Sequence, residues 1–347
     1  MADDIEALDD LIVRVRRARD RGAQWVVDHV AADGEPVGAN KRNGWGRVPW
    51  ALAVCGRADV GSAVLGWAER NALADDGFFR DGSTGGGARL GSYPLAHFAL
   101  GAWLLERYDL ALRCMGALRK IQDPATGGIA IDFPGGSKDQ RFDLLCTAQV
   151  GLSAVVTGQH DVAENVYRWI RDLVALQPEP NAKLYNMRDG AALLTDPPPP
   201  YAWAAITDFS KPRQTYYMPG MSAVFLAGYG LQYNDGEALR LGHRLLQLNI
   251  NGTPAQFDDP QQVQICKFGW GAAALQCADP SVDYAPWLMR MGEWFIARQS
   301  PDGAWTPSSF ATPEPDDIDR LIKTAEHAME VNALLSALAT MRARLAA

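Results

Sequence analysis

The sequence lacks the features that mark several common classes of protein. Its 347 residues contain no apolar run near the ~20 residues of a membrane-spanning helix. It has no block of like charges, and its net charge of −8 gives no basic footprint for nucleic acid or an anionic membrane surface. We therefore expect neither a membrane span nor nucleic-acid binding.

Cysteine is also scarce. The five cysteines are odd in number and form no CxxC pair, so neither a disulfide framework nor a dedicated zinc module is indicated. The opening stretch MADDIEALDDLIVRVRRARD lacks the uninterrupted apolar core of a signal peptide. These features predict reduced thiols and a cytoplasmic location.

What the sequence does have is a repeat. Helix-like segments with scattered charges end in small turns that recur at roughly 50–70 residues, and each turn leads through a loop into a more apolar helix. The apolar helices begin at Trp45, Ser92, Asp143, Thr215, Cys266 and Thr324. The amphipathic segments cover 5–29, 60–71, 109–122, 162–176, 237–248 and 286–299.

This alternation predicts the fold. Helices that are apolar on nearly every face are buried, whereas helices with charges on one face form an outer layer. Six inner and six outer helices predict an all-α, single-domain (α/α)6 toroid over residues 1–347, in which the N-terminal helix completes the last pair. Because the long loops lead into the inner helices, we expect any site at the N-terminal ends of those helices.

One segment resembles a known family motif. Residues 291–305, MGEWFIARQSPDGAW, resemble the QW repeat of squalene and oxidosqualene cyclases, with Gln299, Gly303 and Trp305 at the motif's spacing. Weaker copies begin at Gln122 and Gln177. The resemblance implies a helix end tied to the following turn by glutamine hydrogen bonds and an aromatic stack.

A second segment is similar to the β subunit of protein prenyltransferases, a related α/α toroid. In the stretch QICKFGWGAAAL, from residue 264, Cys266 matches a cysteine of that family, and His327 matches its later histidine. Gln264 stands where the family has a zinc-binding aspartate, and Lys267 where it has tyrosine. Together the two resemblances imply the terpenoid cyclase and prenyltransferase superfamily, while the departures argue against protein prenyl transfer.

The cofactor prediction follows from those departures. Catalytic zinc normally has three protein ligands, and beside Cys266 and His327 the nearest candidates in sequence are Asp258, Asp259 and Gln264. Glutamine is a poor ligand, and cysteine is a common core residue. We predict a site without a cofactor, with zinc as the alternative.

The predicted starts of the inner helices bring polar groups around an apolar cavity. A carboxylate in such a cavity is desolvated, so its pKa rises and it can act as a general acid. The predicted catalytic residues are Asp143, His97, Tyr216 and His327. The predicted substrate-binding residues are Trp45, Tyr93, Cys146, Tyr217, Cys266, Lys267, Phe268, Trp270 and Glu326. Structural roles compete with these, because Asp143 can cap a helix and His97 can be a core histidine.

The functional prediction is a cyclase-like lyase or isomerase. It would cyclise, isomerise, dehydrate or hydrate a small, largely apolar substrate. The sequence Asp316-Asp317-Ile318-Asp319 reverses the spacing of the acid motif of class II terpene cyclases, and we interpret it as a solvated loop.

Two alternatives stay open. One is a polysaccharide lyase or glycoside hydrolase on an α/α toroid, with sugars held by loop residues. Its candidates are Arg80, Arg188, Lys211, Arg213, Tyr185, Tyr201 and Trp203. The other is a toroid that binds a ligand without catalysis.

Overall fold

The computed structural model describes residues 2–80, 91–131, 141–262, 265–310 and 312–346. Within these ranges the helices are α1 (Ala2–Asp28), α2 (Val48–Val54), α3 (Ala58–Asn71), α4 (Ser92–Leu104), α5 (Tyr108–Lys120), α6 (Leu144–Val156), α7 (His160–Ala175), α8 (Pro199–Ala205), α9 (Met218–Tyr233), α10 (Gly236–Ile250), α11 (Ala255–Asp258), α12 (Cys266–Ala278), α13 (Ala285–Ala297) and α14 (Asp317–Leu345). A 3-10 turn, Asn43–Arg47, precedes α2.

Six apolar helices form a closed inner ring. In the order α2, α4, α6, α9, α12 and α14 each helix packs on the next, and α14 packs back on α2. Small residues allow this close approach: a Cβ added at Gly220 would lie 2.0 Å from the Lys267 carbonyl oxygen. One hydrophobic cluster runs through the ring from Leu8 to Met341.

The amphipathic helices form the outer ring. Helices α3, α5, α7, α10 and α13 each pack on the inner helix that precedes them in sequence, and α1 packs on α13 and α14. The N-terminal helix therefore closes the last pair. The predicted α/α toroid of six inner and six outer helices is confirmed.

Glycines in the turns allow each turn to pack closely against the backbone of a neighbouring outer helix. Gly77, after α3, has φ +92°, and an added Cβ would lie 2.4 Å from the Arg113 carbonyl oxygen on α5. Gly303, after α13, has φ +98° and would meet the Arg21 carbonyl oxygen on α1 at 2.8 Å. A side chain at either position would clash with backbone and would strain its own, which explains why glycine recurs in these turns.

The last inner helix begins earlier than the sequence predicts. It starts at Asp317 rather than Thr324, because Asp316 and Asp319 form a capping box at its N-terminus. Both carboxylates also bond Arg42. This acidic stretch therefore caps α14 at the surface.

The described residues also form five short strands, which were not predicted. They are β1 (Arg141–Asp143), β2 (Lys183–Tyr185), β3 (Met187–Asp189), β4 (Ala192–Leu193) and β5 (Ile206–Asp208). Antiparallel pairing gives the order β1-β3-β4 and a separate β2-β5 ribbon, with Asp143 opposite Met187. The small sheet thus lies at the start of α6. No helix in the described part of the chain is long and apolar enough to cross a membrane.

Candidate active site

Glu326, on the last inner helix, has three cationic side chains within ion-pair distance of its carboxylate. Glu326 is 3% exposed, and its Oε1 accepts a hydrogen bond from Lys267 Nζ at 2.5 Å. Its Oε2 accepts one from Lys323 Nζ at 2.6 Å, and Arg47 Nη1 lies 3.2 Å from Oε1. The Tyr93 hydroxyl is 3.5 Å from the same oxygen. These five residues, here called the Glu326 network, join the starts of four inner segments.

The network fixes its own protonation. Burial alone would raise the pKa of Glu326, but Lys267, Lys323 and Arg47 hold it well below its ordinary value. Burial likewise lowers the pKa of Lys267, and the charge of Glu326 outweighs this and keeps the pKa well above its ordinary value. Three cations therefore share one ionised carboxylate, an arrangement that favours an anionic or electron-rich group on a ligand.

Tyr217 connects this network to Asp143. Lys267 Nζ lies 5.5 Å from the centre of the Tyr217 ring. Burial raises the pKa of the Tyr217 phenol, and the negative charges of Asp143 and Glu326 raise it further while Lys267 lowers it. The charges of three predicted site residues thus act on one hydroxyl.

Asp143 is both a helix cap and a perturbed acid. It is 6% exposed, and its Oδ1 accepts the Cys146 backbone N–H at 2.6 Å at the start of α6. Burial raises the pKa of Asp143 to about 6, and hydrogen bonds at Cys146 and Leu145 moderate that rise. The structural and functional interpretations therefore apply to the same side chain.

His97 lies one turn into α4 among aromatic rings. Its Nδ1 is 2.9 Å from the Tyr93 carbonyl oxygen, which assigns the proton to Nδ1, while Nε2 has no hydrogen-bond partner. Burial lowers the pKa of His97 well below its ordinary value, and Arg47 adds to the effect. Trp50 lies 5.4 Å from His97 and 5.5 Å from Trp270, between ring centres. His97 is therefore a neutral imidazole with an unused acceptor nitrogen.

Three further side chains converge between α12 and α14. Cys266, His327 and Glu330 are all buried, and one ligand atom from each lies within 4.8 Å of the others. Burial raises the pKa of the Cys266 thiol, lowers that of His327, and raises that of Glu330 to about 7. We call these residues the Cys266 triad. Within the described ranges it is the one group of three His, Cys, Asp or Glu side chains suited to a metal ion.

The third ligand foreseen from the sequence is not in this triad. Asp258 accepts a hydrogen bond from Arg290 at 2.8 Å, and Asp259 accepts one from Arg213 at 3.3 Å. Gln264 lies outside the described residues. Glu330 instead completes the set.

Three predicted site residues lie apart from both groups. Trp45 is fully buried, with its ring centre 5.1 Å from that of Phe79. The Tyr216 hydroxyl donates to the Lys211 carbonyl. Phe268 packs against aromatic side chains of α11 and α13. All three belong to the packing around the inner helices.

The residues of the sugar-binding alternative have varied surroundings. Arg188 is buried, and one of its nitrogens donates to the Ala191 carbonyl at 2.9 Å. Arg213 donates to Gln261 at 2.7 Å, and Trp203 is 50% exposed on α8. The side chain of Tyr201 lies outside the described residues.

Sequence reasoning missed Arg47, Lys323 and Glu330. Glu330 had a usable signal, because it follows His327 by three residues and so lies on the same face of a helix. Arg47 lies two residues after Trp45, within a predicted helix start. Lys323 precedes the predicted start at Thr324 by one residue, so the early beginning of α14 brings it into the site.

Comparison with known proteins shows a shared fold. No protein-family model matches the chain, and no curated protein matches it. A type II terpene cyclase from Scytonema, bound to its product merosterolic acid A, is similar with a TM-score of 0.59 and 12% identity, over 95% of this chain and 99% of that one.

Glycoside hydrolases share the fold as well. An inactive α-1,6-mannanase variant from a Salegentibacter species, bound to α-1,6-mannotetrose, has a TM-score of 0.64 and 12% identity, over 93% of this chain and 99% of that one. A family 76 glycoside hydrolase from a bovine Bacteroides thetaiotaomicron strain has a TM-score of 0.60 and 11% identity, over 93% and 77%. The chain thus has the α/α toroid fold found in terpene cyclases and family 76 glycoside hydrolases, and at these identities the likeness shows the fold alone.

Proposed function

We propose that this protein is an enzyme that moves protons to and from a small, largely apolar substrate at the starts of the inner helices. The observation that carries the proposal is Asp143, a buried carboxyl whose pKa burial raises to about 6 and whose charge raises the pKa of Tyr217. Such a carboxyl keeps a protonated fraction near neutral pH and can act as a general acid. The reaction class is cyclisation, isomerisation, or removal or addition of water.

The surrounding side chains supply the complementary roles. Asp143 would protonate a double bond or a leaving oxygen, and the Tyr217 ring would stabilise the positive charge that develops. His97 would accept the final proton at Nε2, the nitrogen without a partner. Lys267 would hold a polar end of the substrate. Tyr217 takes the place of Tyr216 in this scheme, because the Tyr216 hydroxyl is bound to a backbone carbonyl.

A cyclase-like reaction is supported by the fold shared with the Scytonema terpene cyclase. Glycoside hydrolysis is the second candidate, and the fold shared with the two glycoside hydrolases favours it. Hydrolysis normally needs two carboxyl groups, one acting as acid and the other as base or nucleophile. Beside Asp143 the second carboxyl would be Glu326, whose charge is already engaged by three cations. Glu330, the other buried glutamate described above, lies against Cys266 and His327. With both glutamates engaged by other side chains, proton-transfer chemistry is the better candidate.

A substrate screen tests the proposal. The protein is incubated with a panel of terpenoid alcohols and acids and with a panel of mannose and uronate oligosaccharides, and products are followed by mass spectrometry. We expect a terpenoid product of unchanged mass or differing by one water. The rate should fall as pH rises through about 6, since the acid form of Asp143 is lost there.

Matched cap variants assign the acid. Asp143→Asn should lower kcat by about 10²–10⁴-fold. Asp235→Asn, which changes the cap of outer helix α10 in the same way, should stay near wild type. New reducing ends from the sugar panel would support the second candidate instead. Binding without turnover, or full activity in Asp143→Asn, would overturn the proposed mechanism.

A further inference from the structure

His327 is buried without the hydrogen bonds that would offset the loss of its contacts with water. It is 0% exposed, and neither ring nitrogen has a hydrogen-bond partner. The rings of Trp294, Phe295 and Trp305 surround it with centres 5.9, 5.2 and 5.5 Å away. A buried polar group without a partner destabilises the folded state, because its contacts with water are lost and not replaced. A histidine with both nitrogens unpaired in an aromatic setting therefore points to a missing partner.

Glu330, on the same helix, has a similar shortage of nitrogen and oxygen partners. It is 0% exposed, and neither carboxylate oxygen accepts a hydrogen bond from a nitrogen or oxygen donor. Lys267 Nζ is 3.7 Å from its Oε1, too far for a hydrogen bond, because the ammonium lies against Glu326 instead. His327 Nε2 and Glu330 Oε2 are 4.0 Å apart. The Cys266 thiol forms a hydrogen bond with the Glu330 carboxyl, so the imidazole without a partner lies beside a carboxyl whose hydrogen bond comes from a sulfur.

Cys266 brings a sulfur to the same point from the neighbouring inner helix. It is 1% exposed, at the first residue of α12. Ligand atoms of the three residues lie within 4.8 Å of one another. Zinc bond lengths imply ligand separations of roughly 3.3–3.8 Å in a tetrahedral site. The side chains therefore need only a small convergence to share one ion.

We propose that Cys266, His327 and Glu330 bind one divalent transition-metal ion and leave its fourth coordination position open. Sulfur, imidazole nitrogen and carboxylate oxygen together suit zinc, and three protein ligands are the usual number at a catalytic zinc. Thiolate and carboxylate would balance the charge of the ion, and Lys267 is already neutralised by Glu326. Bound there, zinc would supply a Lewis acid. The inference departs from the sequence-based prediction of a site without a cofactor and does not depend on the proposed reaction.

The test measures metal binding without any activity assay. The full chain, purified without a histidine tag and stripped with a chelator, is titrated with Co²⁺ and with Zn²⁺. We expect one equivalent to bind, with a sulfur-to-cobalt charge-transfer band and the visible bands of four-coordinate cobalt. Zinc should raise the Tm of the stripped protein.

The cysteine and histidine ligands each have a matched buried control on another inner helix. Cys266→Ser, His327→Ala and Glu330→Gln should each weaken binding by more than about 100-fold, beyond the 10–100-fold typical of residues behind the ligands. Cys146→Ser and His97→Ala should keep the stoichiometry and the charge-transfer band. Circular dichroism reports whether each variant is folded.

Three results would overturn the proposal. They are no bound metal at tenfold excess, cobalt bound without a sulfur band, and unchanged affinity in Glu330→Gln. If Cys266→Ser does not fold, the band in wild type and in Cys146→Ser still decides whether Cys266 is a ligand. Glu330→Asp keeps a carboxylate and should bind more weakly than wild type but better than Glu330→Gln.

Discussion

Buried polar atoms are paired in the turn after outer helix α13 but not between the inner helices α12 and α14. After α13 the Gln299 amide donates to the carbonyls of Ala18 at 2.7 Å and Gly303 at 2.8 Å, and the Trp305 indole donates to the Phe295 carbonyl at 2.9 Å. Between α12 and α14, both nitrogens of His327 lack a hydrogen-bond partner, and neither oxygen of Glu330 accepts from a nitrogen or oxygen donor. Buried polar groups are normally paired, so the difference separates a structural region from a candidate functional one.

Two histidines show the same contrast on a smaller scale. His243, on outer helix α10, has Nδ1 2.8 Å from the Tyr284 hydroxyl and Nε2 3.1 Å from Asp279 Oδ2. His327 has neither kind of contact. The comparison teaches that residue type alone does not distinguish a structural histidine from a candidate ligand, whereas the pairing of its nitrogens does.

The largest loss of stability is expected for a substitution in the turn after outer helix α13. Trp305→Ala should lower the free energy of unfolding by about 3–5 kcal/mol, because a fully buried indole and its hydrogen bond are lost. Urea denaturation measures the change. Trp203→Ala, at a half-exposed tryptophan, should stay within about 0.5 kcal/mol of wild type. A small decrease in the free energy of unfolding of Trp305→Ala would show that this turn contributes little to stability.

A smaller change in stability, which depends on pH, is expected for a substitution of Asp143. Its pKa is raised on folding, so the stability it contributes is full below about pH 4 and is lost as pH rises through about 6. Asn keeps the cap and removes the charge. Asp143→Asn should therefore be more stable than wild type by about 2–3 kcal/mol at pH 8 and nearly equal at pH 4.

Denaturation of both proteins across that range checks this prediction. Asp235→Asn again serves as the control, because its cap lies on an outer helix open to solvent. An equal gain at pH 4 and pH 8 would mean that burial of the Asp143 charge is not the cause.

The smallest difference in stability is expected between substitutions of the two histidines. His243→Leu should lower the free energy of unfolding by about 1–3 kcal/mol, because it removes two hydrogen bonds and leaves the Tyr284 hydroxyl unpaired. His327→Leu in chelator-treated protein removes no hydrogen bond, so its cost should be smaller by about 1–2 kcal/mol. Thermal unfolding of both variants makes the comparison. Equal losses would contradict the view that His327 is unpaired in the metal-free protein.

Much of the ring could be predicted because its signal is local. The predicted outer segment 60–71 corresponds to Ala58–Asn71, and the predicted inner start at Cys266 is the first residue of α12. Amphipathic and apolar periodicities arise within single helices, so the sequence displays them directly. The strands β1 and β3 were missed, because their pairing joins Asp143 to Met187 across an intervening helix pair.

The site was predicted less completely, because side-chain direction depends on how each helix is rotated. Tyr216 and Tyr217 are adjacent, yet one hydroxyl binds the Lys211 carbonyl while the other ring faces Lys267. Proximity in sequence to Cys266 favoured Asp258 and Asp259 as ligands, and both are paired with arginines elsewhere. Glu330 was passed over because it lies 64 positions from Cys266 and inside a helix.

The sequence by itself determined the alternation of apolar and amphipathic helices, the turn glycines, and the helix starts at which polar residues collect. Periodicity and backbone sterics are properties of a few neighbouring residues, so no fold is needed to read them. Only the tertiary structure decided which of those polar residues meet. It brought Glu330 to Cys266 and His327, and it placed three cationic side chains around Glu326. Closure of the ring sets these contacts, because it fixes the rotation of each inner helix against its two neighbours.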